Sequence, residues 1–163
     1  MKSQKANTKA LAIFYGPKVK GIVSFHQPRK KSGSYVTFDL KGLGKNRESA
    51  IHIHEYGDMR DGCTSLGAHW NPRKKEHGNI ELNGNNRHSG DLINNLKANA
   101  RGVFKFKYYD PLVKVRGNES ILGRSIVIHD GVDDLGHGGF PDSKTTGHAG
   151  GRRACAIIVH AKA

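Results

Sequence analysis

Residues 51–58 read Ile-His-Ile-His-Glu-Tyr-Gly-Asp and begin a segment, Ile51 to His88, that contains five of the ten histidines. Apolar and polar side chains alternate from Ile51 to His54, which is the pattern of a half-buried β-strand. The rest of the segment is rich in glycine, histidine and polar residues. It reads Gly62-Cys63-Thr64-Ser65, Gly67-Ala68-His69-Trp70-Asn71-Pro72 and His77-Gly78, and it runs on into His88-Ser89-Gly90-Asp91. We therefore interpret it as a strand followed by a long functional loop.

The same alternation recurs along the rest of the chain. Val36, Phe38 and Leu40, for example, alternate with polar residues, as expected for a strand with one buried face. The 21 glycines and five prolines favour many turns and few long helices. We predict about eight strands, near residues 9–15, 21–27, 34–41, 48–55, 91–96, 101–108, 125–129 and 154–161. Two long segments, 57–90 and 130–153, lack a strand pattern, and loops of that length are usually functional.

Length and composition limit the possible classes of protein. A chain of 163 residues suits one domain, residues 1–163, in which we expect residues 1–8 to be a flexible N-terminal extension. No apolar run approaches the roughly 18 residues of a membrane span, so we expect no membrane partner. No apolar stretch precedes Leu11, which argues against a secretory signal and favours a cytoplasmic location. A mature form whose signal has been removed stays open.

The formal net charge is +13, a strongly basic balance for this length. Such a field attracts anions, and binding of a polyanion is one interpretation. An ordinary solvated basic surface is the other, and no recognised nucleic-acid motif decides between them. Two cysteines, Cys63 and Cys155, fit either free buried thiols or a single bridge.

The histidines offer a metal-binding interpretation. His52 and His54 are two positions apart on the predicted strand, so their side chains share one face with Cα atoms about 6.6 Å apart. Alone, this pair is more simply explained as surface histidines. Three further histidines and a carboxylate in the same segment form a nitrogen-and-oxygen ligand set that suits zinc, namely His69, His77, His88 and Asp91. His129, at the end of an apolar strand, is a further candidate ligand.

These motifs together resemble the copper/zinc superoxide dismutase family. The matching pieces are residues 52–58, 62–65, 69–72, 88–92, Gly123-Arg124-Ser125-Ile126-Val127-Ile128-His129, Asp133-Asp134-Leu135-Gly136 and Gly147-His148-Ala149-Gly150-Gly151-Arg152-Arg153-Ala154-Cys155. They follow one another in the family's order from about Lys9 to Val159. The resemblance implies an all-β fold: an eight-stranded antiparallel Greek-key barrel, or immunoglobulin-like sandwich, with two long functional loops.

The resemblance also implies an enzyme that converts superoxide anion to oxygen and hydrogen peroxide by alternating Cu(II) and Cu(I). It implies one copper and one zinc per subunit, with His69 bridging both as an imidazolate. The implied copper ligands are His52, His54, His69 and His129. The implied zinc ligands are His69, His77, His88 and Asp91.

Other roles follow from the same resemblance. Asp133 would accept hydrogen bonds from His52 and His77 and orient both rings. Arg152 would attract and orient superoxide, and Arg153 is the alternative for this role. Cys63 and Cys155 would form a disulfide within the subunit.

Homodimerisation is implied too, with Leu122 and Ile158 as expected interface residues. The alternative for these two residues is that they only complete the core. A copper-delivery protein is a possible further partner.

Some positions depart from the family's pattern. The second long loop has Asp142 as its only aligned acid, and Lys144 is displaced by one position, so we expect the overall +13 charge to attract the substrate instead. Residues 80–86 are expected to bulge without disturbing the ligands. Two alternatives to the enzyme are a non-catalytic copper/zinc-binding module and a basic nucleic-acid-associated β protein. If the gene came from a large DNA virus, the protein's location would be the host cytoplasm or the virion.

Overall fold

The computed structural model describes residues 8–162 and shows eight strands that pair into one antiparallel sheet. The strands are β1 (Lys9–Tyr15), β2 (Lys20–His26), β3 (Ser34–Lys41), β4 (Glu48–His54), β5 (Asn95–Lys97), β6 (Phe104–Asp110), β7 (Ser125–His129) and β8 (Arg152–His160). Residues 1–7 of the predicted N-terminal extension lie outside the described residues. Thr8 is the last residue of the predicted extension, and its backbone carbonyl accepts a 2.9 Å hydrogen bond from the Gln27 N–H.

The sheet curls into a nearly closed barrel with the strand order β5-β4-β7-β8-β1-β2-β3-β6. Strands β1 to β3 follow one another as neighbours, and the chain then crosses the barrel from β3 to β4 and again from β6 to β7. These crossings make the Greek-key topology, so the predicted fold class is confirmed.

The core lies inside the barrel, where the inward-facing residues of the alternating strands meet. Val23, Phe38 and Ile53 are among its fully or almost fully buried side chains. Ile158 is buried as well, with 0% exposure, which agrees with the alternative that it completes the core. Leu122 is half-buried and packs against the core from outside.

The strand predicted over 91–96 is wrong for most of its length, because β5 begins only at Asn95. Leu92 and Asn94 have φ of 51° and 59°, a left-handed conformation that an extended strand cannot contain. The β6 prediction, 101–108, is displaced toward the N-terminus, because residues 99–103 form the turn that precedes this strand. The Asn99 carbonyl accepts from the Gly102 N–H at 2.9 Å within this turn.

Two long loops connect the barrel strands, as predicted. The first contains a 3₁₀ turn, Thr64–Leu66, and a short helix, α1 (Ile80–Asn83). The expected bulge over 80–86 is therefore a helical turn, capped by the Asn79 side chain, which accepts from two backbone N–H groups. The second loop contains α2 (Ser143–Thr146). Within the described part of the chain, neither helix has the length or the apolar character needed to cross a membrane.

Candidate metal centre

The candidate ligands come from two neighbouring strands and the first long loop. His52 and His54 face the same side of β4, and His129 ends β7, which pairs with β4 in antiparallel register. The other ligands lie on the loop, and an isolated bridge between His54 and His69 brings that loop onto β4.

A short backbone ladder fixes the loop against this strand. The Trp70 N–H donates to the Ile53 carbonyl at 2.7 Å, and the Gly90 N–H donates to the Trp70 carbonyl at 2.9 Å. The Ile53 N–H in turn donates to the Gly90 carbonyl at 2.8 Å. Each member of the ladder lies within two positions of candidate ligands, so three separate segments present their histidines to one place.

Four histidines form the first cluster, with one ring nitrogen each lying within 4.8 Å of the others: His52, His54, His69 and His129. All four are buried, with exposures of 5% or less. His54 Nδ1–H donates to the Gly67 carbonyl at 2.8 Å, and His129 Nδ1–H donates to the Gly150 carbonyl at 3.2 Å. The two Nε2 atoms lie 3.3 Å apart.

These outer hydrogen bonds determine which nitrogen of each ring carries the proton. With Nδ1 protonated, the Nε2 atoms of His54 and His129 face each other as two lone pairs, which repel unless a cation lies near both. His52 Nδ1 and His69 Nε2 are also buried without a hydrogen-bond partner. A bound metal ion would satisfy all four nitrogens at once.

Three histidines and a carboxylate form the second cluster: His69, His77, His88 and Asp91. The Nδ1 atoms of the three histidines lie 3.3, 2.8 and 3.2 Å from one carboxylate oxygen, Asp91 Oδ1. The other carboxylate oxygen, Oδ2, accepts from the backbone N–H groups of Gly78 and His88 at 3.0 Å each. Nitrogen and oxygen donors converging in this way fit a tetrahedral zinc site.

His69 belongs to both clusters. Its Nδ1 faces Asp91, and its Nε2 faces the first cluster. Its ring centroid lies 3.9 Å from that of His52 and 5.2 Å from that of His77. One imidazole is therefore placed between the two ligand sets.

Burial sets the protonation of the first cluster. It lowers the pKa of His54 to about 2 and that of His129 to about 4, and nearby His69 adds to both shifts. Burial would also lower the pKa of His77, but hydrogen bonds to Asp133 and Asp91 raise it to about 9. The first cluster is thus held neutral and ready to ligate, whereas a metal must displace a proton from His77.

Asp133 connects the two clusters from behind. His52 Nε2–H donates to its Oδ2 at 2.6 Å, and His77 Nε2–H donates to its Oδ1 at 2.8 Å. The pKa of Asp133 is held below its ordinary value because these hydrogen bonds outweigh its burial. One carboxylate therefore orients a ring in each cluster.

Arg152 lies beside the first cluster, at the start of β8. Its guanidinium donates to the carbonyls of Cys63 at 2.8 Å and Gly67 at 2.6 Å. The Gly67 carbonyl also accepts from His54, so Arg152 and a histidine of the cluster share one acceptor. Cys63 is joined to Cys155 by a disulfide across 92 positions of sequence, which confirms the predicted bridge. Arg153 instead donates to the Leu43 carbonyl at 2.8 Å, in the β3–β4 connection.

The sequence matches known proteins over almost its whole length. The profile of the family described as copper/zinc superoxide dismutase (SODC) matches residues 19–158. Proteins named Superoxide dismutase [Cu-Zn] from Yarrowia lipolytica and Candida albicans are 48% and 46% identical over 151 residues, covering 92% of this chain and 96% of each relative. The chain belongs to the copper/zinc superoxide dismutase family.

A solved structure supports the same assignment of the fold. It is described as a crystal structure analysis of the clock protein EA4, and it superposes with a TM-score of 0.88 at 35% sequence identity. The match covers 95% of this chain and 96% of that one.

Several residues that support this superoxide dismutase centre escaped the sequence analysis. Asn94 donates to Asp133 Oδ2 at 3.1 Å, and Asn95 exchanges hydrogen bonds with the Asp133 backbone at 2.8 and 2.9 Å. Arg87 is fully buried and donates to Asp110 at 2.9 Å and to the His88 carbonyl. Adjacent asparagines in an otherwise apolar segment were the available signal for the first pair. Arg87 gave no such signal, because a single arginine in a sequence is normally interpreted as a surface residue.

Proposed function

We propose that His52, His54, His69 and His129 bind copper, that His69, His77, His88 and Asp91 bind zinc, and that residues 1–163 act as one domain. The placement of His69 between two ligand sets is the observation that carries this proposal. Membership of the family makes the chain an oxidoreductase that converts superoxide to oxygen and hydrogen peroxide, with copper and zinc as its metals. When bound, copper would supply one-electron exchange with superoxide and zinc would supply a fixed positive charge.

His69 is proposed to accept and donate a proton during the reaction. A ring that binds two cations gives up both of its protons, which few environments allow. With both metals bound, the Nε2 atom of His69 would hold a proton between the two half-reactions and donate it to the peroxide product. Asp133 keeps the neighbouring His52 and His77 rings in their donor orientations during this exchange.

Arg152 is proposed to bind the superoxide anion beside the first cluster. Its side chain is only half-buried, so it is accessible to a small anion. Hydrogen bonds to Cys63 and Gly67 hold the guanidinium in place before substrate arrives, which reduces the ordering needed on binding. The disulfide at Cys63 in turn holds one of these two acceptors against β8.

Replacement of His129 tests the copper assignment. We expect His129→Ala to lose dismutase activity and copper while retaining zinc, because His129 belongs to the first cluster only. The exposed loop histidine in His137→Ala is the matched control and should keep both metals and full activity. Full activity of His129→Ala would refute the assignment. Metal content by mass spectrometry together with superoxide consumption gives the readout.

The proteins similar in sequence to this chain favour an enzyme over a non-catalytic copper/zinc-binding module, because they are named superoxide dismutases. The half-buried arginine at the first cluster also fits an enzyme better, since metal storage needs no anion-binding group. A nucleic-acid-associated protein with no enzymatic activity is not favoured for the same reasons.

A homodimer is proposed from an exposed apolar surface on β1 and β8. Leu11 pairs with Val159 across these strands, and Tyr15 and Val159 are 80% and 48% exposed. With Met59 they surround a shallow cavity of about 540 Å³, and we expect a second copy of the chain to cover this apolar surface. We expect a dimer mass by light scattering and a monomer for Val159→Glu. A monomeric wild-type protein would reject the proposal.

A copper-delivery protein stays a prediction from the family resemblance. Copper content of the protein produced in cells with and without a copper-delivery protein would test it. Equal loading in both would show that such a partner is not needed.

A further inference from the structure

The outer face of β2, β3 and β6 carries a row of aromatic and basic side chains at one end of the barrel. His26 lies opposite Tyr35 in the β2–β3 register, and Tyr35 lies opposite Tyr109 in the β3–β6 register. Lys107 lies one row further along, opposite Thr37. The face is separated from the candidate metal centre, since β8 and β1 lie between β7 and β2 on one side of the barrel and β5 lies between β4 and β6 on the other.

Lysine side chains lie over the two tyrosine rings. Lys31 Nζ is 4.5 Å from the ring centroid of Tyr109 and 5.2 Å from that of Tyr35. Lys107 Nζ is 5.3 Å from the Tyr35 centroid. The two rings meet edge to face, with centroids 5.3 Å apart. Exposed cation–π contacts of this kind are weak, so an anion can draw the ammonium groups away and free the ring faces.

Basic residues dominate the exposed charge around these rings. Arg29 and Lys30 are exposed on the adjoining β2–β3 connection. The shallow cavity beside Tyr35, about 220 Å³, is lined by basic, polar and apolar residues, and none of the described residues that line it is acidic. The carboxylate of Asp39, one row beyond Lys107, already faces Lys105 at 3.3 Å. The surface is thus complementary to a polyanion, in a protein with a net charge of +13.

We propose that this basic aromatic face, formed by Lys31, Tyr35, Lys107 and Tyr109, binds single-stranded nucleic acid. Lysine ammonium groups would contact successive phosphates, and the tyrosine rings would stack with unpaired bases, which every base can do. A sulfated polysaccharide or an anionic membrane would use the lysines but would leave the rings without a function. Three adjacent strands span roughly 10 Å, enough for a few nucleotides. Binding here would leave the metal centre open.

Fluorescence anisotropy with a labelled 20-nucleotide oligothymidylate and the metal-loaded full chain tests this proposal. We expect the double variant Lys31→Gln/Lys107→Gln to bind at least tenfold more weakly. Its log Kd should also depend less on log salt, with a slope smaller by about 1.4, because each phosphate contact on a single strand contributes about 0.7. We expect Tyr35→Leu to weaken binding about tenfold without changing that slope, because it removes stacking but no charge.

Lys20→Gln/Lys41→Gln is the matched control. These two lysines lie opposite each other at the other end of β2 and β3, are exposed, and carry the same charge. We expect the control to weaken binding less than twofold and all variants to keep dismutase activity at 0.15 M salt. Equal losses in both double variants would overturn the proposal in favour of unspecific attraction by net charge. Unchanged binding by Tyr35→Leu, or equally strong binding of heparin or phosphatidylserine vesicles, would also overturn it.

Discussion

A single carboxylate, Asp133, illustrates how the metal centre is held at the level of one residue. It accepts hydrogen bonds from His52 and His77, and Asn94 and Asn95 hold it in place through three further hydrogen bonds. The sequence indicated candidate metal ligands among the histidines, and the family resemblance assigned them to two metals and added Asp133. The contacts of the asparagines with Asp133 could not be predicted, because this partner is about 38 positions away in sequence.

Replacing this carboxylate should weaken metal binding without removing a ligand. In Asp133→Asn the side-chain amide can accept from one histidine only, and its NH₂ group faces the other N–H. We expect zinc affinity to fall about 10- to 100-fold, as for other partners that orient a ligand from behind. Competition with a chromophoric chelator measures this affinity. Asp130→Asn, in an exposed residue that pairs with Arg47, is the control, and an equal loss there would contradict the expectation.

The buried histidines also predict how the metal-free protein responds to acid. Burial lowers the pKa of His129 to about 4, whereas its ordinary value is near 6.5. Between these two pH values His129 is protonated in the unfolded chain but neutral in the folded chain. Stability should therefore fall by about 3 kcal/mol between pH 6.5 and pH 4 from this residue. His77, whose pKa is raised to about 9, stays protonated when folded throughout this range, so its contribution is constant and is lost only at higher pH.

Urea unfolding of the metal-free protein at several pH values measures this loss. Metal-free His129→Gln should show a shallower pH dependence, because its side chain does not titrate. The same steep dependence in wild type and variant would show that other groups cause the acid sensitivity.

At the level of elements, alternation predicted strands well where one face is buried and the other solvated. Strands β1 and β3 have the predicted bounds, whereas β5 is short because Leu92 and Asn94 turn in a left-handed conformation. That turn belongs to the metal loop, and its conformation depends on contacts distant in sequence, such as the Asn94 side chain with the Gly78 carbonyl at 2.8 Å. Local patterns contain no signal for such contacts.

The ladder of Ile53, Trp70 and Gly90 gives a prediction for the first loop. A Cβ atom at Gly90 would lie 2.3 Å from the Ile53 carbonyl oxygen and 3.0 Å from the Trp70 nitrogen, and both of these atoms are backbone. We expect Gly90→Ala to destabilise the protein by about 1–3 kcal/mol, as for other overpacked sites, and to lower the affinity for both metals. In Gly16→Ala the closest atom is 3.4 Å away, so this control should be nearly neutral in thermal unfolding. An unchanged stability of Gly90→Ala would show that the segments of the ladder can move apart.

At the scale of the whole molecule, alternation predicted a domain of about eight strands, but it predicted neither their closure into a barrel nor the pairing of the cysteines. Cys63 and Cys155 are 92 positions apart, and the fold brings their Cα atoms to 5.9 Å. Only the family resemblance indicated this bridge beforehand. The charge is a second global property, and the structure shows how it is distributed near the centre: Lys144, in the second long loop, lies 3.4 Å from Glu76 and is partly compensated.

The net charge predicts how the reaction rate depends on salt. With +13 charges and one loop lysine compensated by Glu76, attraction of superoxide should come largely from the field of the whole molecule. At 0.15 M salt that field is screened beyond roughly 8 Å. We expect kcat/KM to fall severalfold between 10 mM and 0.15 M salt, measured by pulse radiolysis.

Lys20→Gln/Lys41→Gln should lower the rate slightly at low salt only, because these lysines act at long range. Arg152→Gln should lower it at every salt concentration, because its contact with the anion is local. A rate that is independent of salt would mean that local groups alone attract the substrate.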